Sequence, residues 1–201
     1  ASKATVDPYL VAHFPMEVQG NAIFETVSGK SFVVSNNFNR PENIPGAEGN
    51  ALRLDGYSTF CNAQINASTL NSTALSVSLW CALETYPVMD PNNEVTTETY
   101  IAGNMNENLK TGFAFTLNGV GSFSFQVYVD GNKITCADFN QTLKAYDWHH
   151  LVATVNSTTK EVNLYKNGEL ISSSYFFGKG VINTGANDFI IGKSFANTYT
   201  D

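Results

Sequence analysis

Apolar and polar residues alternate along most of the chain with the two-residue period of a β-strand whose faces meet different surroundings. Ser122–Asp130 (SFSFQVYVD) shows it best: Phe123, Phe125, Val127 and Val129 share one side, and Ser122, Ser124, Gln126 and Tyr128 the other. Gly112–Asn118 (GFAFTLN) repeats the pattern with Phe113, Phe115 and Leu117 inward, and Asn118-Gly119-Val120-Gly121 supplies the turn that pairs the two segments. A second hairpin is predicted from His150–Asn156 (HLVATVN) and Glu161–Lys166 (EVNLYK) around the polar loop Ser157–Lys160. Asn167-Gly168, a strong two-residue hairpin signal, then leads into a strand over Glu169–Ser174. Ala51–Asp55, Ser58–Asn62, Leu75–Leu83 and Asp188–Gly192 read as further strands.

No segment carries the 3.6-residue period of a long amphipathic helix; Asn66–Thr73 is a helical turn or a loop. Asn36–Asn50 and Thr85–Glu98 each hold two prolines and read as irregular connections. The pattern is that of an all-β, two-sheet antiparallel sandwich in one domain of 201 residues.

Composition narrows the partners. Charged residues make up only 14% of the chain and aromatics 12%, so the polar surface comes mainly from Asn, Ser, Thr and Gly. The net charge of −7, with no Lys/Arg cluster, repels a phosphate backbone and argues against nucleic acid. No apolar run approaches the roughly 20 residues of a membrane-spanning helix. Cys61, Cys81 and Cys136 form neither a CxxC pair nor a zinc pattern. They read as thiols packed in strands, with a Cys61–Cys81 bridge as the alternative.

Four ordered segments resemble the laminin-G-like, concanavalin A-like jelly-roll modules attached to secreted bacterial enzymes. They are Leu10–Phe14 followed by Val27-Ser28-Gly29; Gly49–Gly56 (GNALRLDG); Leu75–Trp80 (LSVSLW); and Trp148–Val155 with Val162–Gly168. The last resembles the family's W-x-H-x-A-x-T … L-Y-x-N/D-G hairpin. The resemblance implies a jelly roll over residues 1–201 with Leu10–Phe14 as its opening strand. Relatives usually end in a further strand after the position of Ile191-Gly192, so a domain short of its last strand, cut from a longer polypeptide, is expected. The resemblance also implies an accessory module of an exported carbohydrate-active protein, secreted, periplasmic or on the cell surface. Its partner would be a glycan or an adjacent catalytic domain. A structural or protein-interaction sandwich and a divergent glycan hydrolase or lyase are the alternatives.

Catalytic chemistry is poorly represented. Sandwich hydrolases need carboxylates at alternate positions of one strand, and none are so placed. Glu84 stands alone after Trp80, while Glu94 and Glu98 fall in a loop. Serine-elbow and phosphate-loop patterns are missing. Adjacent His149 and His150 point to opposite faces and cannot share a metal; His150 is expected in a structural place in or near the core, and His13 in a structural role. Asp90, Asn92 and Glu94 offer oxygen ligands at alternating positions, which makes them candidates for calcium, although the segment lacks the glycine and spacing of a defined calcium loop and an ordinary polar turn is the favoured reading. Four N-x-S/T sequons have meaning only in a eukaryotic secretory source. For sugar binding, Gln126 and Tyr128 on one strand and Asn163 and Tyr165 on another would build a polar aromatic strip if the two strands share a sheet.

Overall fold

The computed structural model describes residues 7–37, 40–56, 58–65, 70, 72–86, 99–118, 121–185 and 188–193. Among these are the strands β1 (Val18–Gln19), β2 (Ala22–Glu25), β3 (Lys30–Ser35), β4 (Asn43–Pro45), β5 (Asn50–Leu52), β6 (Phe60–Ala63), β7 (Ala74–Cys81) and β8 (Thr99–Gly103). They continue with β9 (Phe113–Asn118), β10 (Ser122–Val129), β11 (Asn132–Asp138), β12 (His149–Asn156), β13 (Glu161–Lys166), β14 (Glu169–Tyr175) and β15 (Phe189–Ile191). All the ladders between named strands are antiparallel. Nine strands form one sheet in the order β1-β2-β3-β6-β15-β8-β9-β10-β11, and four form a second in the order β14-β13-β12-β7. The pair β4-β5 stands apart. This is the expected two-sheet sandwich.

Alternation decides what lies between the sheets. Phe113, Phe115 and Leu117 of β9 and Phe123, Phe125, Val127 and Val129 of β10 pack against Leu75 of β7, Leu151, Ala153 and Val155 of β12, and Val162 and Leu164 of β13. Phe115, Phe123 and Phe125 lose all solvent contact. At roughly 25 cal/mol per Å2 of buried apolar area, each such ring contributes several kcal/mol. A second cluster (Val18, Ile23, Val34, Leu52, Cys61, Ala102, Ile191) lies under the part of the large sheet where the β4-β5 hairpin packs.

The two long edges of the sandwich differ. On one, β11 and β14 approach, and Ser174 Oγ donates to the Thr135 carbonyl at 2.7 Å. On the other, β7 pairs with β12 alone among the described residues, and a groove of about 2350 Å3 opens beside it, lined in part by Leu52, Leu54, Val77, Leu79, Phe189 and Ile191.

Several local expectations are corrected. Leu10–Phe14 forms no strand: His13 is tied instead to the turn after β2, its N–H donating to Glu25 and its carbonyl accepting from the Thr26 N–H. The 36–50 connection contains β4 and the start of β5, with Pro45 in the two-stranded ribbon, where a missing N–H costs little. The strands β1, β2, β3, β8 and β11 went unread. Of these, β11 was signalled by Asp130-Gly131, a two-residue turn whose positive φ values of 49° and 74° return the chain onto β10. All three cysteines are free thiols.

Candidate functional site

Gln126 and Tyr128 belong to β10 in the nine-stranded sheet, whereas Asn163 and Tyr165 belong to β13 in the four-stranded sheet. Each pair points away from the core of its own sheet, so the pairs lie on opposite outer sides of the sandwich. The single strip expected from the sequence is therefore not formed. Pairing between strands distant in sequence decides this, and periodicity within a strand does not report it.

The β10 half is also closed. Gln126 is 1% exposed and Tyr128 5%. Tyr128 packs with Met105, Ala114 and Tyr100, and its hydroxyl donates to Glu107 of the loop after β8. Lys133 Nζ lies 3.0 Å from the other oxygen of Glu107. Burial and the Glu107 carboxylate push the Tyr128 phenol up to about 12. Burial alone would raise Glu107, but the hydrogen bonds from Tyr128 and Lys133 outweigh it and hold the carboxyl below its usual range. The group fastens a loop to the sheet.

The outer face of the four-stranded sheet is the open one. Its outward positions run Ala74, Ser76, Ser78 and Trp80 on β7; His150, Val152, Thr154 and Asn156 on β12; Glu161, Asn163 and Tyr165 on β13; and Leu170, Ser173 and Tyr175 on β14. Trp80 and His150 are direct cross-strand partners, and their rings stack with centroids 4.8 Å apart and planes 21° from parallel. Trp80 remains 52% exposed, so the indole face turned from the imidazole is open to solvent. His150 is held on three sides: its Nε2 lies 2.7 Å from Ser78 Oγ, its N–H donates to Asn167 Oδ1 at 2.8 Å, and its carbonyl accepts from the Asn167 N–H at 2.8 Å. Asn167 can do this because the Asn-Gly turn places it at φ 51° and Gly168 at φ 84°.

His150 thus occupies the outer surface, contrary to its expected place in or near the core. His149 is the buried member of the pair, at 5% exposure, with its ring nitrogen against the backbone of Lys144. Trp80 was not among the candidates, yet it had a signal: it shares the polar parity of Ser76 and Ser78.

Further along the same face, Tyr165 sits opposite Val152 and Leu170, and Asn163 opposite Thr154 and Ser173. Ser173 Oγ donates to Asn163 Oδ1 at 2.6 Å, which leaves the amide N–H groups of Asn163 as outward donors. Glu161 is the one Asp, Glu, Lys or Arg among these outward positions. The face offers flat rings, hydroxyls and an amide on a nearly uncharged ground.

Several of the described acids are occupied elsewhere. Asp55 accepts from the N–H groups of Ser58 and Thr59, Asp138 from those of Asn140 and Thr142, and Glu25 from those of His13, Val27 and Ser28. Glu84 does not stand alone: it and Glu42 share the Arg53 guanidinium at 2.8 and 3.0 Å. All three side chains of that triad are about half exposed, which makes it a surface linkage. Among the described residues no group of three or more His, Cys, Asp or Glu side chains could hold a metal ion. The calcium candidates Asp90, Asn92 and Glu94 lie outside the described residues.

Residues 56–201, more than half of the chain, match the laminin G family model described as the concanavalin A-like lectin/glucanases superfamily. The chain belongs to this superfamily. Its fold is similar to that of domain 4 of AbnA, a GH43 extracellular arabinanase from Geobacillus stearothermophilus, solved in complex with arabinotriose. The TM-score is 0.63 at 16% identity, over 86% of this chain and 79% of that one. It is also similar to the binding domain of botulinum neurotoxin serotype C1, with TM-score 0.59 and 14% identity. That match covers 95% of this chain, which spans only 44% of the neurotoxin domain. No curated protein matches in sequence. At these identities the likeness establishes the concanavalin A-like fold, and the fold hosts many roles.

Proposed function

We propose that this concanavalin A-like domain is a non-catalytic carbohydrate-binding module of an exported carbohydrate-active protein, and that the outer face of β14-β13-β12-β7 is its glycan surface. The observation that carries the reading is the Trp80–His150 stack. A rigid, half-exposed indole backed by a second ring presents an apolar plane to the C–H face of a sugar, and Ser78 beside it, with Asn163 and Tyr165 further along the face, supply partners for the hydroxyls of a bound chain. Asn163 and Tyr165 keep the role expected for them; Gln126 and Tyr128 do not take part. The AbnA domain, solved with arabinotriose, supports the choice of ligand class through a shared fold. The use of Asp55, Asp138 and Glu25 as turn anchors and of Glu42 and Glu84 in a surface ion triad supports a role without catalysis.

Affinity electrophoresis through gels containing arabinan, xylan, galactan, mannan or β-glucan tests it. Retention in at least one gel is expected, with Trp80→Ala losing about tenfold in affinity as a central aromatic anchor does. Unretarded migration in every gel, or retention untouched by Trp80→Ala, defeats the reading.

A further inference from the structure

Resting on that reading, we infer that the face binds an uncharged, linear oligosaccharide along a diagonal with two stacking positions, the Trp80–His150 platform and Tyr165.

Sheet geometry sets the diagonal. Trp80 lies on β7 and Tyr165 on β13, with β12 between them, so two strand spacings separate them, about 10 Å. Trp80 pairs with His150 while Tyr165 pairs with Val152, two residues further along β12, which adds about 7 Å along the strand direction. The Cα positions therefore stand about 12 Å apart on the diagonal. A single sugar ring cannot lie on both platforms, whereas a short run of linked sugars can. Between them Val152 gives a low apolar floor, and Ser78 and Thr154 flank it with hydroxyls.

Charge selects the sugar type. Sulfated or carboxylated chains need cations, and the outward positions of the four strands carry neither Lys nor Arg. Lys166 is directed to the other side, its Nζ donating to the Thr142 carbonyl at 3.0 Å. Lys160 is likewise engaged, with its Nζ on the Lys179 carbonyl at 2.7 Å. The one acidic residue of the face, Glu161, disfavours an anionic chain, and the protein's net charge of −7 reinforces this.

The test is calorimetric titration of the intact chain with mono- to hexasaccharides from whichever neutral polysaccharide retains it, alongside polygalacturonic acid. Affinity should rise at least tenfold from monosaccharide to tetrasaccharide and then level off. Tyr165→Ala should remove most of that gain with length, whereas Trp80→Ala should weaken the binding of every length, the disaccharide included. Monosaccharide binding as tight as hexasaccharide binding, or a Tyr165→Ala variant with unchanged length dependence, overturns the two-position diagonal and leaves the glycan reading standing. Retention by polygalacturonic acid equal to that by the neutral chain overturns the charge selection alone. Failure of every sugar removes the glycan reading, and this inference with it. Far-ultraviolet circular dichroism of both variants, unchanged from the parent, shows that the losses arise at the face.

Discussion

Trp80 and His150 meet as direct cross-strand partners on β7 and β12, with nearly parallel rings at 4.8 Å. An exposed indole standing alone would sample several rotamers, and fixing it on a ligand would cost entropy. The imidazole beneath it, its Nε2 against Ser78 Oγ and its backbone N–H bonded to Asn167 Oδ1, supplies the fixed geometry beforehand. His150→Ala should therefore weaken glycan binding without touching the fold. A stacked pair contributes about 0.5–1.5 kcal/mol, so a two- to tenfold loss is expected by titration calorimetry. An unchanged affinity would show that Trp80 needs no backing.

The Asn167-Gly168 turn carries both stability and site geometry. A side chain at Gly168, where φ is 84°, meets backbone strain although no atom obstructs it within 4 Å. Gly168→Ala is expected to cost about 1 kcal/mol. Urea denaturation would register it as a lower midpoint at constant slope.

Crowding between β8 and β9 is of another kind. A Cβ added to Gly103 would stand 2.3 Å from the Phe113 carbonyl oxygen and 2.7 Å from the Ala114 Cα, both backbone atoms with no freedom to move aside. Gly103→Ala should destabilise by about 1–3 kcal/mol, as overpacking does. Phe125→Ala, which empties a fully buried site, should cost about 3–5 kcal/mol. Equilibrium unfolding should rank Phe125→Ala above Gly168→Ala.

Acid should loosen the loop after β14. Asp130 accepts from the N–H groups of Gly180 and Val181, and these bonds hold its pKa below the ordinary 3.8. At Glu25 burial acts upward, yet the hydrogen bonds from Ser28, His13 and Val27 outweigh it and hold that carboxyl below 4.5. Groups depressed in this way bind protons more readily unfolded than folded. Their stabilisation is complete above the unfolded values and is lost as pH falls through the folded ones. Melting temperature should be level from pH 7 to about 5 and drop below about 4.5, with a shallower drop in Asp130→Asn. A melting temperature that rises on acidification would contradict this account.

The thiols should be silent in the native protein. Burial pushes Cys61 up to about 11 and Cys81 up to about 12, so almost no thiolate exists at neutral pH. Reaction with an aromatic disulfide reagent at pH 8 should be slow when native and should release three equivalents of thiolate after denaturation, one per cysteine. Fewer than three would reveal a disulfide.

What the sequence determined is local. The two-residue period in Gly112–Asp130 and His150–Lys166 assigns each residue to the greasy or the wet side of its own strand, because consecutive side chains must leave a strand in opposite directions. It separated Phe123 and Phe125 from Gln126 and Tyr128, and Val162 and Leu164 from Asn163 and Tyr165. The Asn-Gly and Asp-Gly turns follow from which residues tolerate positive φ. Tertiary structure decided everything that depends on which strands become neighbours. It set β10 and β13 in different sheets, closed the outer side of β10 beneath the Glu107 loop, and brought Trp80 against His150 across 70 residues of chain. Strand pairing of that range is fixed by the sum of many core contacts, and no single segment encodes it. The candidate site was therefore only half legible: the outward parity of Asn163 and Tyr165 could be read, and the ring stack beside them could not.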